Sequence, residues 1–312
     1  MNKCLFCHKE LEHGEKDFHA QCSRKFFGTA EVPVMAYTRA DMDGLAQQII
    51  SAQTTLTGVQ PKLSLHLQNH EGNQRLTIVG LWGDYIFKPQ TDSYEQLPEI
   101  EDLSMHLAEA AKIKTAPHSL IRLADGSLGY LSRRVDRDHK GNKLAMEDMC
   151  QLTERQTEYK YRSSYEQIAK AITRFSTTPQ LDLVNFYEIV LFSWLTGNND
   201  MHLKNFSLLS VKKGEYRLSP AYDLVNAAIV NLNDKEELAL TLNGKKSRIL
   251  LSDFIEAASK SGISENIINK LNSNFAKCQP KWEALIASSF LSDDLKKAYL
   301  ELIYERMKRM SK

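Results

Sequence analysis

The chain has 312 residues, 42% of them hydrophobic and 25% charged, the ordinary balance of a soluble globular protein. A net charge of +1 gives no strong pull toward nucleic acid or a membrane surface, and no apolar run approaches the roughly 20 residues that span a bilayer. An odd count of five cysteines argues against a full disulfide framework, and the charged N-terminus lacks an apolar leader, so the expected location is cytoplasmic.

Residues 1–27 read as a separate segment. Cys4, Cys7, His19 and Cys22 follow the spacing C-x2-C-x11-H-x2-C. Two ligand pairs with short internal spacing suit a tetrahedral Zn²⁺ ion, which would stabilise a stretch too short to own a core. The alternative is a reduced, unligated tail. Asp41–Ser51 has helical spacing of Leu45, Ile49 and Ile50, and Pro61 ends any helix beyond it. In Lys62–Leu67 (KLSLHL) apolar and polar residues alternate, the pattern of a half-buried strand. Arg75–Val79 and Tyr85–Lys88 read as strands with a turn between them. Glu99–Lys112 reads as an amphipathic helix, and Ser119–Leu123 with Leu128–Arg134 as a hairpin across Asp125–Gly126. From Asp136 onward the pattern turns helical, most clearly in Ser164–Phe175 and Leu181–Thr196. Ser252, Ser264 and Ser292 each precede an acid and an apolar-periodic run, as N-caps do. The expected class is α+β, with a strand-rich lobe over 28–134 and a larger helical lobe over 135–312.

The chemistry concentrates in Gly197–Phe206, GNNDMHLKNF, at the end of the apolar run Ile189–Thr196. Asp223 follows seventeen residues after Phe206, in LSPAYDL, beyond a short hairpin-like segment. Asp200, five residues before Asn205, can act as a base on an attacking hydroxyl. Asn205 and Asp223 offer the oxygen ligands that Mg²⁺ prefers. Turn chemistry is the plain alternative for Asp200 and Asn205, and capping of a following helix for Asp223. Lys88, at the end of a strand, can reach nucleotide phosphates or simply snorkel off the sheet. Glu101 can pair with that lysine, with Glu99 as a competitor. His202 and Lys204 can contact phosphate or shape the loop. The segment Gln53–Lys62 stands where a phosphate-covering loop would lie, yet it holds only Gly58 and offers Thr54, Thr55 and Thr57 instead.

TGVQPK (57–62), IFKP (86–89), RRVDR (133–137), NNDMHLKNF (198–206) and LSPAYDL (218–224) together resemble the HipA family of serine/threonine kinase toxins. The resemblance implies a two-lobed protein-kinase-like fold, ATP with Mg²⁺, and an aminoacyl-tRNA synthetase as protein substrate. It implies Lys88 as the phosphate-binding lysine and Asp200 as the catalytic aspartate. Asn205 and Asp223 become the metal ligands, and Arg133–Val135 an adenine-binding hinge. Thr55 or Thr57 falls where the family has a self-phosphorylated loop serine. Family members of full length carry a small extra subdomain ahead of the loop motif. The shorter stretch here resembles the toxin of three-component systems, HipT, with a small HipS-like antitoxin and a HipB-like helix-turn-helix partner. A non-catalytic, nucleotide- or partner-binding pseudokinase is the alternative function. Direct nucleic-acid binding through the cysteine segment is disfavoured by the charge.

Overall fold

The computed structural model describes residues 2–42, 44–45, 62–70, 73–79, 83–138 and 140–310. The expected threonine loop, with Thr54, Thr55 and Thr57, lies outside the described residues, as does the second half of the helix expected over Asp41–Ser51.

The chain divides into two compact units. The first comprises Met1–Leu103, Ala116–Arg134 and Ser288–Leu291; the second comprises Ser104–Thr115, Val135–Ala287 and Ser292–Lys312. In the first, β1 (Leu63–His70), β2 (Asn73–Val79), β3 (Tyr85–Pro89), β4 (His118–Arg122) and β5 (Leu128–Arg133) form an antiparallel sheet of order β2-β1-β3-β5-β4. Alternation along β1 buries Leu63 and Leu65, which share a core with Leu76, Phe87 and Leu131. Phe87 and Leu131 are direct partners across β3 and β5. The next pair, Lys88 with Tyr130, therefore projects from the opposite face of the sheet.

The first 27 residues are not separate. Cys4, Leu5, Phe18, Phe26 and Phe27 belong to the same core as the sheet. The helix Ala20–Phe27 stops at Gly28, whose φ of 83° lets its N–H reach back to the Arg24 carbonyl. It thereby sets Phe26 and Phe27 against the Tyr85 ring, at 5.8 and 6.1 Å. The Leu5 carbonyl accepts from the Leu120 amide and the Ser119 hydroxyl, and Arg122 pairs with Asp17 at 2.8 Å. A stretch this short has too few apolar residues for a core of its own and borrows one from the sheet.

The second unit is mainly helical, with Tyr165–Phe175, Pro179–Leu195, Leu251–Ser259, Glu265–Ser288 and Asp293–Met310. The second half of Pro179–Leu195 is buried on every side, from Ile189 to Leu195, which makes it a central helix. Phe192 packs on Phe275 and Trp282, and Trp194 on Phe254. Each such ring contributes about 1.5–3 kcal/mol by leaving water. The hairpin-like segment before Asp223 is β7 (Ser207–Lys212) and β8 (Glu215–Leu218). The three-residue strand β6 (Met146–Asp148) joins it in the order β6-β7-β8. Ser164 and Ser292 cap their helices through side-chain oxygens. Ser252 does not: it lies inside Leu251–Ser259, where Asp253 takes over by accepting the Leu250 N–H at 3.0 Å. Among the described residues no helix is long and apolar enough to cross a membrane.

Candidate functional site

In the second unit the buried helix Pro179–Leu195 delivers the polar loop. Gly197 makes the exit turn at φ 84°, and a Cβ there would fall 2.2 Å from Asn226 Oδ1. Side chains other than hydrogen are therefore excluded by both backbone and space. Gly197→Ala should cost about 1–3 kcal/mol and displace the loop, read as a lower melting temperature with loss of any activity of Asp200.

The loop is pinned from several sides. Asn198 accepts the Asp200 amide at 3.2 Å and donates to the Asp223 carbonyl at 3.4 Å. The Tyr165 hydroxyl donates to the Met201 carbonyl at 3.0 Å. The Tyr222 hydroxyl donates to the Lys204 carbonyl at 3.1 Å and lies 2.5 Å from Ser207 Oγ. Burial raises both tyrosine pKa values well above their usual range, so these pins stay protonated.

Three of the expected site residues converge here. Asp200 is half-buried and its Oδ1 accepts the Tyr161 hydroxyl at 2.6 Å. Asn205 Oδ1 accepts the His202 N–H at 3.1 Å, which turns Asn205 Nδ2 toward Asp223 Oδ2, at 3.3 Å. Asp223 holds this position with a left-handed backbone, φ 57°. The Asn205 carboxamide and the Asp223 carboxylate are thus neighbours, with the carboxamide nitrogen turned to Asp223 and its oxygen to His202. That oxygen, engaged by one N–H, keeps a second lone pair, and with the carboxylate it makes an oxygen donor set of the kind a hard cation such as Mg²⁺ takes. Lys204 and His202, the other two expected residues of the loop, have partners within the protein. The Lys204 ammonium pairs with Asp148 Oδ2 at 2.6 Å, and the buried His202 ring sits edge-on to Tyr161. The roles of Tyr161 and Asp148 carry no sequence signal, since each is far along the chain from its partner.

In the first unit Lys88 and Glu101 meet at 2.5 Å, with side chains only 4% and 1% exposed. The Lys88 ammonium also lies 5.4 Å from the Tyr130 ring centre, as the shared sheet face requires. Glu101, and not Glu99, takes the lysine; burial pushes the Glu99 carboxyl up to about 7. Arg133 and Arg134 commit their N–H groups to the Pro117 and Asp84 carbonyls, and Val135 opens the second unit. The ligand atoms of Cys4, Cys7, His19 and Cys22 come within 4.8 Å of one another. Burial, then the charges of Cys4 and Cys7, push the Cys22 thiol up to about 12.

Comparison with known proteins gives a consistent picture. A Haemophilus influenzae protein named "Putative kinase" is 25% identical over 93% of this chain and 92% of its own length. The Sinorhizobium fredii "Putative kinase Y4dM" is 30% identical over 74% of this chain, and "Putative kinase Y4mE" 30% over 55%. The chain spans 59% and 42% of the lengths of those two relatives. Among solved structures, HipA of Shewanella oneidensis, in complex with HipB and operator DNA, matches with a TM-score of 0.69 at 20% identity. That match covers 90% of this chain and 72% of HipA. The Helicobacter pylori proinflammatory kinase CtkA matches with a TM-score of 0.54 at 15% identity, over 80% of this chain and 93% of CtkA. The fold is thus protein-kinase-like. Residues 54–282 match the HipA-like C-terminal domain, which is most of the chain, and the protein belongs to that family.

Proposed function

We propose that this chain is an ATP- and Mg²⁺-dependent serine/threonine protein kinase acting as the toxin of a toxin–antitoxin system. The observation that carries the reading is the convergence of Asn205 and Asp223, 3.3 Å apart, in the loop system that also presents Asp200. Asp200 accepts the proton of the target hydroxyl. The hydroxyl oxygen forms a bond to the γ-phosphorus, the bond from that phosphorus to the bridging oxygen breaks, and ADP leaves. Tyr161 holds the Asp200 carboxylate in one orientation through its 2.6 Å hydrogen bond. Lys88, kept in place by Glu101, binds phosphate oxygens, and Asn205 and Asp223 hold the cation. Bound Mg²⁺ neutralises charge on the β- and γ-phosphates. Arg133–Val135 meets the adenine. Positioning and electrostatics supply most of the rate.

The threonines of the loop, Thr55 or Thr57, are the sites of self-phosphorylation. A phosphate there adds about −1.5 to −2 charge to the loop and switches the enzyme off. The substrate class is an aminoacyl-tRNA synthetase. The partners are a HipB-like helix-turn-helix antitoxin and a small HipS-like protein. The HipA match, seen with HipB and operator DNA, favours antitoxin partners of this kind.

Intact-mass measurement tests the reading. Wild-type protein incubated with Mg·ATP should gain about 80 Da per phosphoryl group, within the peptide that carries Thr54–Thr57, and Asp223→Ala should gain none. Equal labelling of the two proteins would remove the metal role of Asp223. A wild type that labels neither itself nor any protein in a cell extract would favour the pseudokinase reading.

A further inference from the structure

The first unit carries a side-chain cluster that the phosphoryl-transfer chemistry does not use. Cys4 and Cys7 lie in a tight turn, closed by the Cys4 N–H on the Lys9 carbonyl at 2.8 Å and the His8 N–H on the Cys4 carbonyl at 2.9 Å. His19 stands at the N-cap of the helix Ala20–Phe27, and Cys22 lies in its first turn. Cys7 Sγ and Cys22 Sγ are 3.5 and 3.7 Å from His19 Nδ1. A tetrahedral zinc ion, with Zn–S near 2.3 Å and Zn–N near 2.0 Å, sets neighbouring ligand atoms roughly 3.5–3.8 Å apart. The chain alone already holds Cys7 and Cys22 at that spacing from His19, and all four ligand atoms within 4.8 Å of one another.

The histidine is also in the tautomer a metal needs. Its Nε2 lies 2.8 Å from the Glu10 carbonyl oxygen, which can only accept. The proton therefore sits on Nε2, and Nδ1 presents its lone pair to the sulfurs. All five cysteines are free of disulfides, so none of these thiols is spent on a cross-link.

The residue after Cys7 shows what the cluster supports. His8 is buried, and its Nε2 lies 2.7 Å from Asp102 Oδ2, while its ring sits edge-on to Phe290 at 5.0 Å. Asp102 follows Glu101 in the helix Leu97–Ala110. We propose that Cys4, Cys7, His19 and Cys22 bind a structural Zn²⁺ ion, and that the turn it closes anchors this helix through His8 and Asp102. Without the ion the turn has no covalent closure, and a segment with little core of its own loosens. His8 is thus a positioning residue for the helix that carries Glu101.

The test uses the full-length protein and does not read phosphorylation, so it stands or falls apart from the kinase reading. Wild type purified without chelator should carry about one zinc per chain. Exchange with Co²⁺ should give the visible and thiolate charge-transfer bands of a tetrahedral site. Cys7→Ser should lose both signals, and Cys278→Ser should keep them. Because Cys7→Ser can unfold the segment, the wild-type cobalt spectrum decides: no zinc and no tetrahedral bands overturns the site. Amide hydrogen exchange then reads the anchoring. Chelation should speed exchange in peptides covering residues 97–103 and leave residues 265–287 unchanged. His8→Ala should do the same with zinc retained, and His8→Gln, which keeps an N–H donor, should restore protection. Unchanged exchange over 97–103 after chelation, or in His8→Ala, overturns the anchoring role.

Discussion

Asp200→Asn should abolish phosphorylation by this chain while leaving it folded. The substitution keeps the side chain's size, and the Tyr161 hydroxyl can still donate to the carboxamide oxygen as it does to Asp200 Oδ1. The loss of one charge-assisted hydrogen bond costs about 1 kcal/mol, since the carboxylate is only half-buried. The catalytic loss is far larger. An amide cannot take the proton of the attacking hydroxyl, and general-base contributions of this type are worth about 10²–10⁴-fold in rate. The measurement is a time course of phosphate incorporation from Mg·ATP beside a thermal melt. A variant that labels at the wild-type rate would remove Asp200 from the chemistry. A variant that melts much earlier than wild type would make it a structural residue of the loop.

Lys88→Met should lower both stability and activity, and the two effects should separate in a double variant. Lys88 and Glu101 form a pair nearly closed to solvent, 2.5 Å apart. Removing the ammonium leaves the Glu101 carboxylate buried beside an apolar side chain, which typically costs about 3–5 kcal/mol, or roughly 10 °C of melting temperature in a protein of this size. Adding Glu101→Gln neutralises the buried carboxylate, so Lys88→Met/Glu101→Gln should regain most of the lost stability. It should not regain phosphorylation, because a thioether cannot hold phosphate oxygens. Two results would count against the assignment: a single variant as stable as wild type, or a double variant that labels normally.

How much of this was readable in the residues depends on range. The alternation in KLSLHL and the turn signal Asp125–Gly126 are local, and β1, β4 and β5 follow from them. The apolar run ending at Thr196 likewise announces a buried helix followed by the polar loop. The three residues of β6 are too few for any period to show. Their place depends on pairing with β7, some sixty residues on, as in Met146 with Leu209. The choice of Glu101 over Glu99 for Lys88 is made by helix packing, since both carboxylates lie near the helix start. Tyr161 reaches Asp200 from 39 residues away. The same limit explains why residues 1–27 read as a detached segment: their apolar residues are sparse in sequence, and their partners Leu63, Leu65 and Tyr85 come much later.

The left-handed backbone at Asp223, φ 57°, narrows what evolution or a designer can put there. Glycine and asparagine tolerate that geometry, whereas a β-branched or bulky residue is strained in it. Asparagine is therefore the silent disguise: the same shape, the same turn, one negative charge fewer beside Asn205. A relative with asparagine at this place would keep the architecture while its grip on a divalent ion weakened, a decoy indistinguishable by fold alone from a working copy.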